Sequence, residues 1–318
     1  MGRRVWFFGS GEIGVPTLQA LARAHTLAGV VTQPDRPQGR GQRKAPMPIK
    51  MAAQPLAVPV LEPASTRDPQ LPALIQRSRP DLLVVMAYGG ILPSALLHLA
   101  PHGAWNVHPS LLPKYRGAAP IPWALMHGDA ETGITLFEMD TQVDHGPILA
   151  QTRLPIAPEE TTATLAERVS RAAPDLLLAT LAQMERGVLS KTPQDDRQAT
   201  MAPRLTKADG WVDWSLPAAV IARRARALVP WPGCLTSWQG RALKLLRVTA
   251  QTDITPATPG IPPSTVLRAN EAGILVQTGR GAVAIQELQL SGGRPLDAAA
   301  FLRGHRIRPD DRLGRETP

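Results

Sequence analysis

Apolar runs alternate with amphipathic stretches over the first two thirds of the chain. Residues 4–8, all apolar after Arg4, read as a buried first strand. Gly9-Ser10-Gly11-Glu12-Ile13-Gly14 then turns that strand into a helix ending near Ala24. Further strands are predicted over 27–32, 58–61, 82–87, around Asn106, over 133–139 and over 147–153. Helices are predicted near 49–54, 70–76 and 121–127, with a long one over 164–186. Strands alternating with helices make an α/β fold with a doubly wound, mostly parallel, Rossmann-like sheet.

The pattern changes after Gly187. Residues 188–204 hold Pro193, Asp195, Asp196, Arg197 and Pro203 and have the composition of a linker. A helix over 217–228 follows, then short strands over 234–238, 242–248, 264–269, 273–278 and 282–290, separated by glycine turns. Evenly spaced short strands predict a small β-barrel. The expected organisation is a domain over 1–187, a linker over 188–204 and a second domain over 205–318.

Composition agrees with two soluble domains, since 318 residues with 43% hydrophobic side chains can bury two cores. Charge adds a partner. Lys and Arg outnumber Asp and Glu by 35 to 26, and the excess is steepest from Leu205 onward, at 15 to 9. A basic surplus of this kind suits a polyanion such as nucleic acid. The single cysteine, Cys234, excludes an internal disulfide and points to a reducing compartment. Residues 5–8 are too few for a secretory leader and no stretch approaches a membrane span, so the expected location is cytoplasmic. The seven histidines show no ligand spacing with Cys or carboxylates, and no metal is expected.

Candidate chemistry centres on Asn106, His108 and a later acid, Asp144. Residues i and i+2 of a strand share a face, so the amide and imidazole point the same way. Pro109 holds His108 extended and ends the strand where open α/β sheets place ligands. An amide N–H and an imidazole can both donate to a developing oxyanion, and a carboxylate beside the imidazole can orient it. This is equipment for acyl transfer to a nucleophile supplied by a substrate. A Ser110/His108/Asp144 triad is the rival reading, although Ser110 lacks the Gly-x-Ser-x-Gly elbow that presents a nucleophile. A second rival is a nicotinamide or flavin enzyme, since Gly9-x-Gly11-x-x-Gly14 follows a strand and Asp35 lies near a ribose-binding position.

Asn106-x-His108, Ser110-Leu111-Leu112-Pro113-x-x-Arg116-Gly117 and Asp144 together resemble the formyltransferases that use 10-formyltetrahydrofolate. The segments Thr32 to Gly41, Ala87 to Pro93, Ala118 to Ile121 and Lys207 to Trp214 are similar to the branch that formylates methionyl-tRNA. The family usually has Gly-Thr-Pro near Gly9, where this chain has Gly9-Ser10-Gly11. The resemblance implies an enzyme with initiator methionyl-tRNA as partner and 10-formyltetrahydrofolate as cosubstrate, and a monomer is expected. It implies roles in the chemistry for Asn106, His108 and Asp144. It implies a folate pocket lined by Tyr88, Gly89, Ile91, Leu92, Ser110, Leu111, Leu112 and Pro113. The long loop over 33–48, carrying Arg36, Arg40, Arg43 and Lys44, would contact the acceptor end of the tRNA, and the C-terminal barrel would be OB-like. A formyltransferase acting on a sugar nucleotide or small amine is the nearest alternative.

Overall fold

The computed structural model describes residues 2–38, 43–252 and 260–314. They form two compact units, Met1–Pro120, Glu131–Pro155 and Leu165–Pro203 in one, and Ile121–Ala130, Ile156–Thr164 and Arg204–Pro318 in the other.

In chain order the elements begin with β1 (Arg4–Gly9), α1 (Val15–Ala24) and β2 (Thr26–Val31), followed by β3 (Arg36–Gln38) and β4 (Arg43–Ala45). Next come α2 (Pro48–Ala53), β5 (Val60–Leu61), α3 (Gln70–Gln76), β6 (Leu82–Met86), α4 (Ser94–Leu97) and β7 (Ala104–His108). Then follow α5 (Pro120–His127), β8 (Glu131–Glu138), β9 (Ile148–Pro155) and α6 (Thr162–Glu185).

The first unit is built on a seven-stranded sheet in the order β5-β2-β1-β6-β7-β8-β9. Pairing is parallel from β5 to β7 and antiparallel through β8 and β9. Phe7, Phe8, Leu82, Leu83 and Val84 are fully buried in its central strands. Each such side chain contributes about 1.5–3 kcal/mol, which explains why the apolar runs become interior strands.

Two local departures from the sequence reading have clear causes. The loop over 33–48 contains a two-stranded hairpin, with β3 paired to β4 through Arg36↔Ala45, Pro37↔Lys44 and Gln38↔Arg43. A proline is tolerated because a two-stranded ribbon has only edges. The short helix α4 also went unread, since four residues carry almost no periodicity.

The second unit contains α7 (Ala218–Ala227), β10 (Cys234–Trp238), β11 (Arg241–Gln251), β12 (Val266–Asn270), β13 (Gly273–Gln277), β14 (Ala282–Leu290), β15 (Leu296–Asp297) and α8 (Ala298–Gly304). Its sheet is antiparallel in the order β10-β11-β14-β13-β12, with β15 on β14. The chain end joins the two edges: Gly314 bridges Ser237 in β10, while Arg312 bridges Thr265 at the entrance to β12. That closure makes the expected small barrel. Helix α8 was missed although its signals are local: Asp297 caps it by accepting from the Ala300 amide at 2.6 Å, and an alanine run leads to Gly304.

Phe301 of α8 is 1% exposed, stacks on His305 at 4.2 Å and meets Trp238 edge-on at 6.2 Å. Phe301→Ala is expected to destabilise the barrel unit by about 3–5 kcal/mol, measured by denaturant titration. A loss below about 1 kcal/mol would show that α8 is not part of the core.

Candidate active site

Strand β7 ends at His108 because Pro109 cannot continue the ladder, and the loop over 109–117 is then built from its own polar groups. The Ser110 hydroxyl donates to the Lys114 carbonyl at 2.6 Å. Thr135 of β8 donates to the Ser110 carbonyl at 2.7 Å and accepts from the Leu112 amide at 3.0 Å. Gln151 of β9 donates to the Leu112 carbonyl at 2.9 Å. The antiparallel edge of the sheet therefore shapes this loop.

Asn106, His108 and Asp144 converge. Asn106 Nδ2 donates to Asp144 Oδ1 at 3.4 Å, and His108 Nδ1 lies 3.6 Å from Asp144 Oδ2. The shortest bond to the carboxylate comes from elsewhere: the Gly117 amide donates to Oδ2 at 2.7 Å. Gly117 has φ +123°, and a Cβ there would lie 2.7 Å from the Ala202 carbonyl oxygen. Only glycine can bring that amide to the acid. His108 Nε2 donates to the Tyr115 carbonyl at 2.9 Å, since a carbonyl can only accept, and Nδ1 is thereby the ring atom turned to Asp144. His108 is 4% exposed and Phe137 meets its ring edge-on at 6.4 Å.

The Ser110/His108/Asp144 triad is excluded by this geometry. Ser110 is fully buried with its hydroxyl given to Lys114, and both His108 nitrogens face other partners.

Residues 192–202 run along the same loop, which linker composition does not reveal. The Arg116 amide donates to Thr200 O at 2.8 Å and the Ala202 amide to Arg116 O at 2.7 Å. Arg116 is 8% exposed, and its guanidinium donates to Gln194 Oε1 at 2.8 and 3.1 Å and to Asp196 at 2.8 Å. Gln194 Nε2 donates to the carbonyls of Asp144 and Gly146 at 2.9 and 2.8 Å. Sequence reasoning missed Gly117, Thr135, Gln151 and Gln194 as parts of the site. Gly117 stood in the motif, whereas Gln194 had no local signal.

The expected folate residues separate into two groups. Tyr88, Leu92, Ser110 and Leu112 are buried, each at most 4% exposed. Burial also pushes the Tyr88 phenol up from its ordinary pKa. Ile91 is 75% exposed beside Gly89, which sits at φ +76°, and Leu111 and Pro113 are half-buried. The loop over 87–93 leaves β6, which pairs with β7 through Val85↔Asn106, so it borders the site. Of the basic residues, Arg36, Arg43 and Lys44 lie on β3 and β4, and Arg40 lies outside the described residues. Among the described residues no group of three His, Cys, Asp or Glu could hold a metal.

The chain matches the model of the family described as formyl transferase over residues 3–181, and that of the formyl transferase C-terminal domain over 204–306. It is 43% identical to the methionyl-tRNA formyltransferase of Geobacter sulfurreducens over 98% of this chain and 97% of that one. The chain belongs to the formyltransferase family. The fold agrees. HypX from Aquifex aeolicus in complex with tetrahydrofolic acid superposes with a TM-score of 0.63 at 19% identity, covering 95% of this formyltransferase and 47% of HypX. An N-formyltransferase from Helicobacter canadensis, in complex with folinic acid and dTDP-3-aminofucose, gives 0.64 at 15% identity over 90% and 99%.

The glycine turn of this formyltransferase is not built for a dinucleotide. The Ser10 and Gly11 amides both donate to the Ala87 carbonyl, at 3.2 and 3.3 Å, and so are not free to meet a pyrophosphate. Asp35 is paired with Lys50 Nζ at 3.1 Å, and Lys50 also bridges Glu62.

Beside Asp144, His145 hydrogen-bonds Asp140 at 2.6 Å and lies 3.5 Å from Asp196. The Asp140 bond raises the His145 pKa above its ordinary value, with burial and Arg116 opposing. A raised folded value means the stabilisation is complete below about pH 6.5 and is lost as pH climbs through the folded pKa. His145→Gln is therefore expected to lower Tm at pH 5.5 and to leave it nearly unchanged at pH 9. An equal Tm difference at both pH values would remove the charge of His145 from the account.

Proposed function

We propose that this formyltransferase moves the formyl group of 10-formyltetrahydrofolate to the α-amino group of methionine on initiator methionyl-tRNA, giving the N-formylated charged tRNA that starts translation. It acts as a monomer in the cytoplasm. One observation carries the reading: an amide, an imidazole edge and an anchored carboxylate meet at the end of β7, in a chain aligned end to end with a methionyl-tRNA formyltransferase. Likeness to sugar formyltransferases rests on fold alone, at 15% identity.

Each group has a task. When the methionine amine attacks the formyl carbon, negative charge grows on the formyl oxygen. Asn106 Nδ2 spends one of its two hydrogens on Asp144 and has a second to give to that oxygen. His108 Nδ1 faces the same spot. A proton must leave the attacking amine and another must reach the departing folate nitrogen. Asp144 is the carboxylate placed to accept the first, directly or through a water. The exposed Ile91 suits the flat aromatic ring of a folate, and Gly89 lets backbone approach that ring closely.

The basic hairpin β3–β4 and the barrel fit the tRNA. In the barrel unit Arg268, Arg280, Arg294, Arg303, Arg306 and Arg308 are all exposed, cations suited to a phosphate backbone. No helix among the described residues is long and apolar enough to cross a membrane.

The direct test is incubation with 10-formyltetrahydrofolate and charged initiator tRNA, with formylated methionine as the readout; its absence overturns the reading. Asp144→Asn is expected to keep the fold and tRNA binding while turnover falls at least about a hundredfold. Near-normal turnover in the folded variant would remove Asp144 from the chemistry. Arg40→Ala is expected to raise KM for tRNA, leave folate binding and Tm unchanged, and flatten the salt dependence of tRNA binding by about one unit of slope. A variant matching the parent in tRNA affinity and turnover would reduce that loop to a solvated insertion.

A further inference from the structure

We infer that Gln194 is a positioning residue for the reaction, acting through the backbone of Asp144. The inference rests on the formyl-transfer reading of Asp144 given above.

The carboxamide of Gln194 uses all of its hydrogen-bonding capacity on the site. Its oxygen accepts twice from Arg116, at Nε and Nη2, and its nitrogen donates twice, to the Asp144 and Gly146 carbonyls. The orientation follows from chemistry alone, because a guanidinium can only donate and a carbonyl can only accept. One side chain thus ties the Arg116-Gly117 turn, whose Gly117 amide holds the Asp144 carboxylate, to the backbone that carries the same carboxylate.

That backbone needs holding. Asp144 sits at φ +49°, a left-handed conformation that non-glycine residues seldom adopt. Gly146 packs so closely on the Glu138 carbonyl that no Cβ fits there. The Asp144 side chain touches Asn106 only at 3.4 Å and His108 only at 3.6 Å. The carboxylate is therefore held by the Gly117 amide at 2.7 Å, and where that bond places it depends on how its main chain is set against the Arg116-Gly117 turn. An error of about 1 Å in a reacting group costs on the order of a hundredfold in rate.

The experiment is a double-mutant cycle in the full-length protein. Gln194→Ala is expected to lower kcat about ten- to hundredfold, with KM for both substrates nearly unchanged. Gln194→Glu should be no better. Its carboxylate still accepts from Arg116, but it has no N–H for the two carbonyls and sets an anion against them. A role limited to pairing or packing Arg116 would be rescued by glutamate, and such rescue overturns the inference. In an Asp144→Asn background Gln194→Ala should cost almost nothing more, since the group it positions is already disabled; additive losses overturn the inference. A change confined to KM overturns it as well. If Gln194→Ala melts below the assay temperature, Gln194→Glu, which retains the Arg116 pair, carries the test. Normal turnover in Asp144→Asn defeats the underlying reading, whereas a defective Asp144→Asn beside a normal Gln194→Ala defeats the inference alone.

Discussion

The arrangement of the site depends on one hydrogen bond, the 2.7 Å contact from the Gly117 amide to the Asp144 carboxylate. It makes demands on every neighbouring segment. Gly117 must lie against Ala202, where a side chain would collide, so residues 192–202 must pass directly beside the loop. Asp144 must take a left-handed backbone, which the Gln194 amide and the close approach of Gly146 to Glu138 hold in place. Asn106 and His108 then need only the alternation of a strand to reach the same point.

The sheet decides which loop end is used. Strand order reverses around β1, and the crevice beside it is where a doubly wound sheet usually takes a nucleotide. Here the Ala87 carbonyl engages the Ser10 and Gly11 amides and closes that option. The candidate site lies further out, at the end of β7, between a parallel neighbour and an antiparallel one. The antiparallel pair β8–β9 supplies Thr135 and Gln151, whose side chains shape the loop. Lys50, bridging Asp35 and Glu62, anchors the entry to the segment that carries the basic hairpin.

Much of this was legible in order along the chain. Apolar runs of four or five residues between turns named the central strands, and i, i+2 spacing put Asn106 and His108 on one face. The residue types of the run from Asn106 to Gly117, with a later Asp144, pointed to acyl transfer, and the resemblance of that run to the formyltransferases narrowed it to formyl transfer. The polar hairpin β3–β4, the four-residue α4 and the capped helix α8 were less legible, being short elements with little hydrophobic period. For α8 the cap and the closing glycine were present in the sequence and could have been used.

By itself the sequence determined the two fold classes, the central strands and the pairing of Asn106 with His108 on one strand face, since these follow from side-chain type and short-range spacing. Only tertiary structure decided how the site is wired. Gln194 lies 78 residues from Arg116 and 50 from Asp144, so no periodicity connects them. The Tyr115 carbonyl that orients His108, the Gly117 amide that holds Asp144 and the chain end that closes the barrel are backbone groups. Every residue but proline carries the same donor and acceptor there, and which of them meet is set by how distant segments pack rather than by which amino acids they contain.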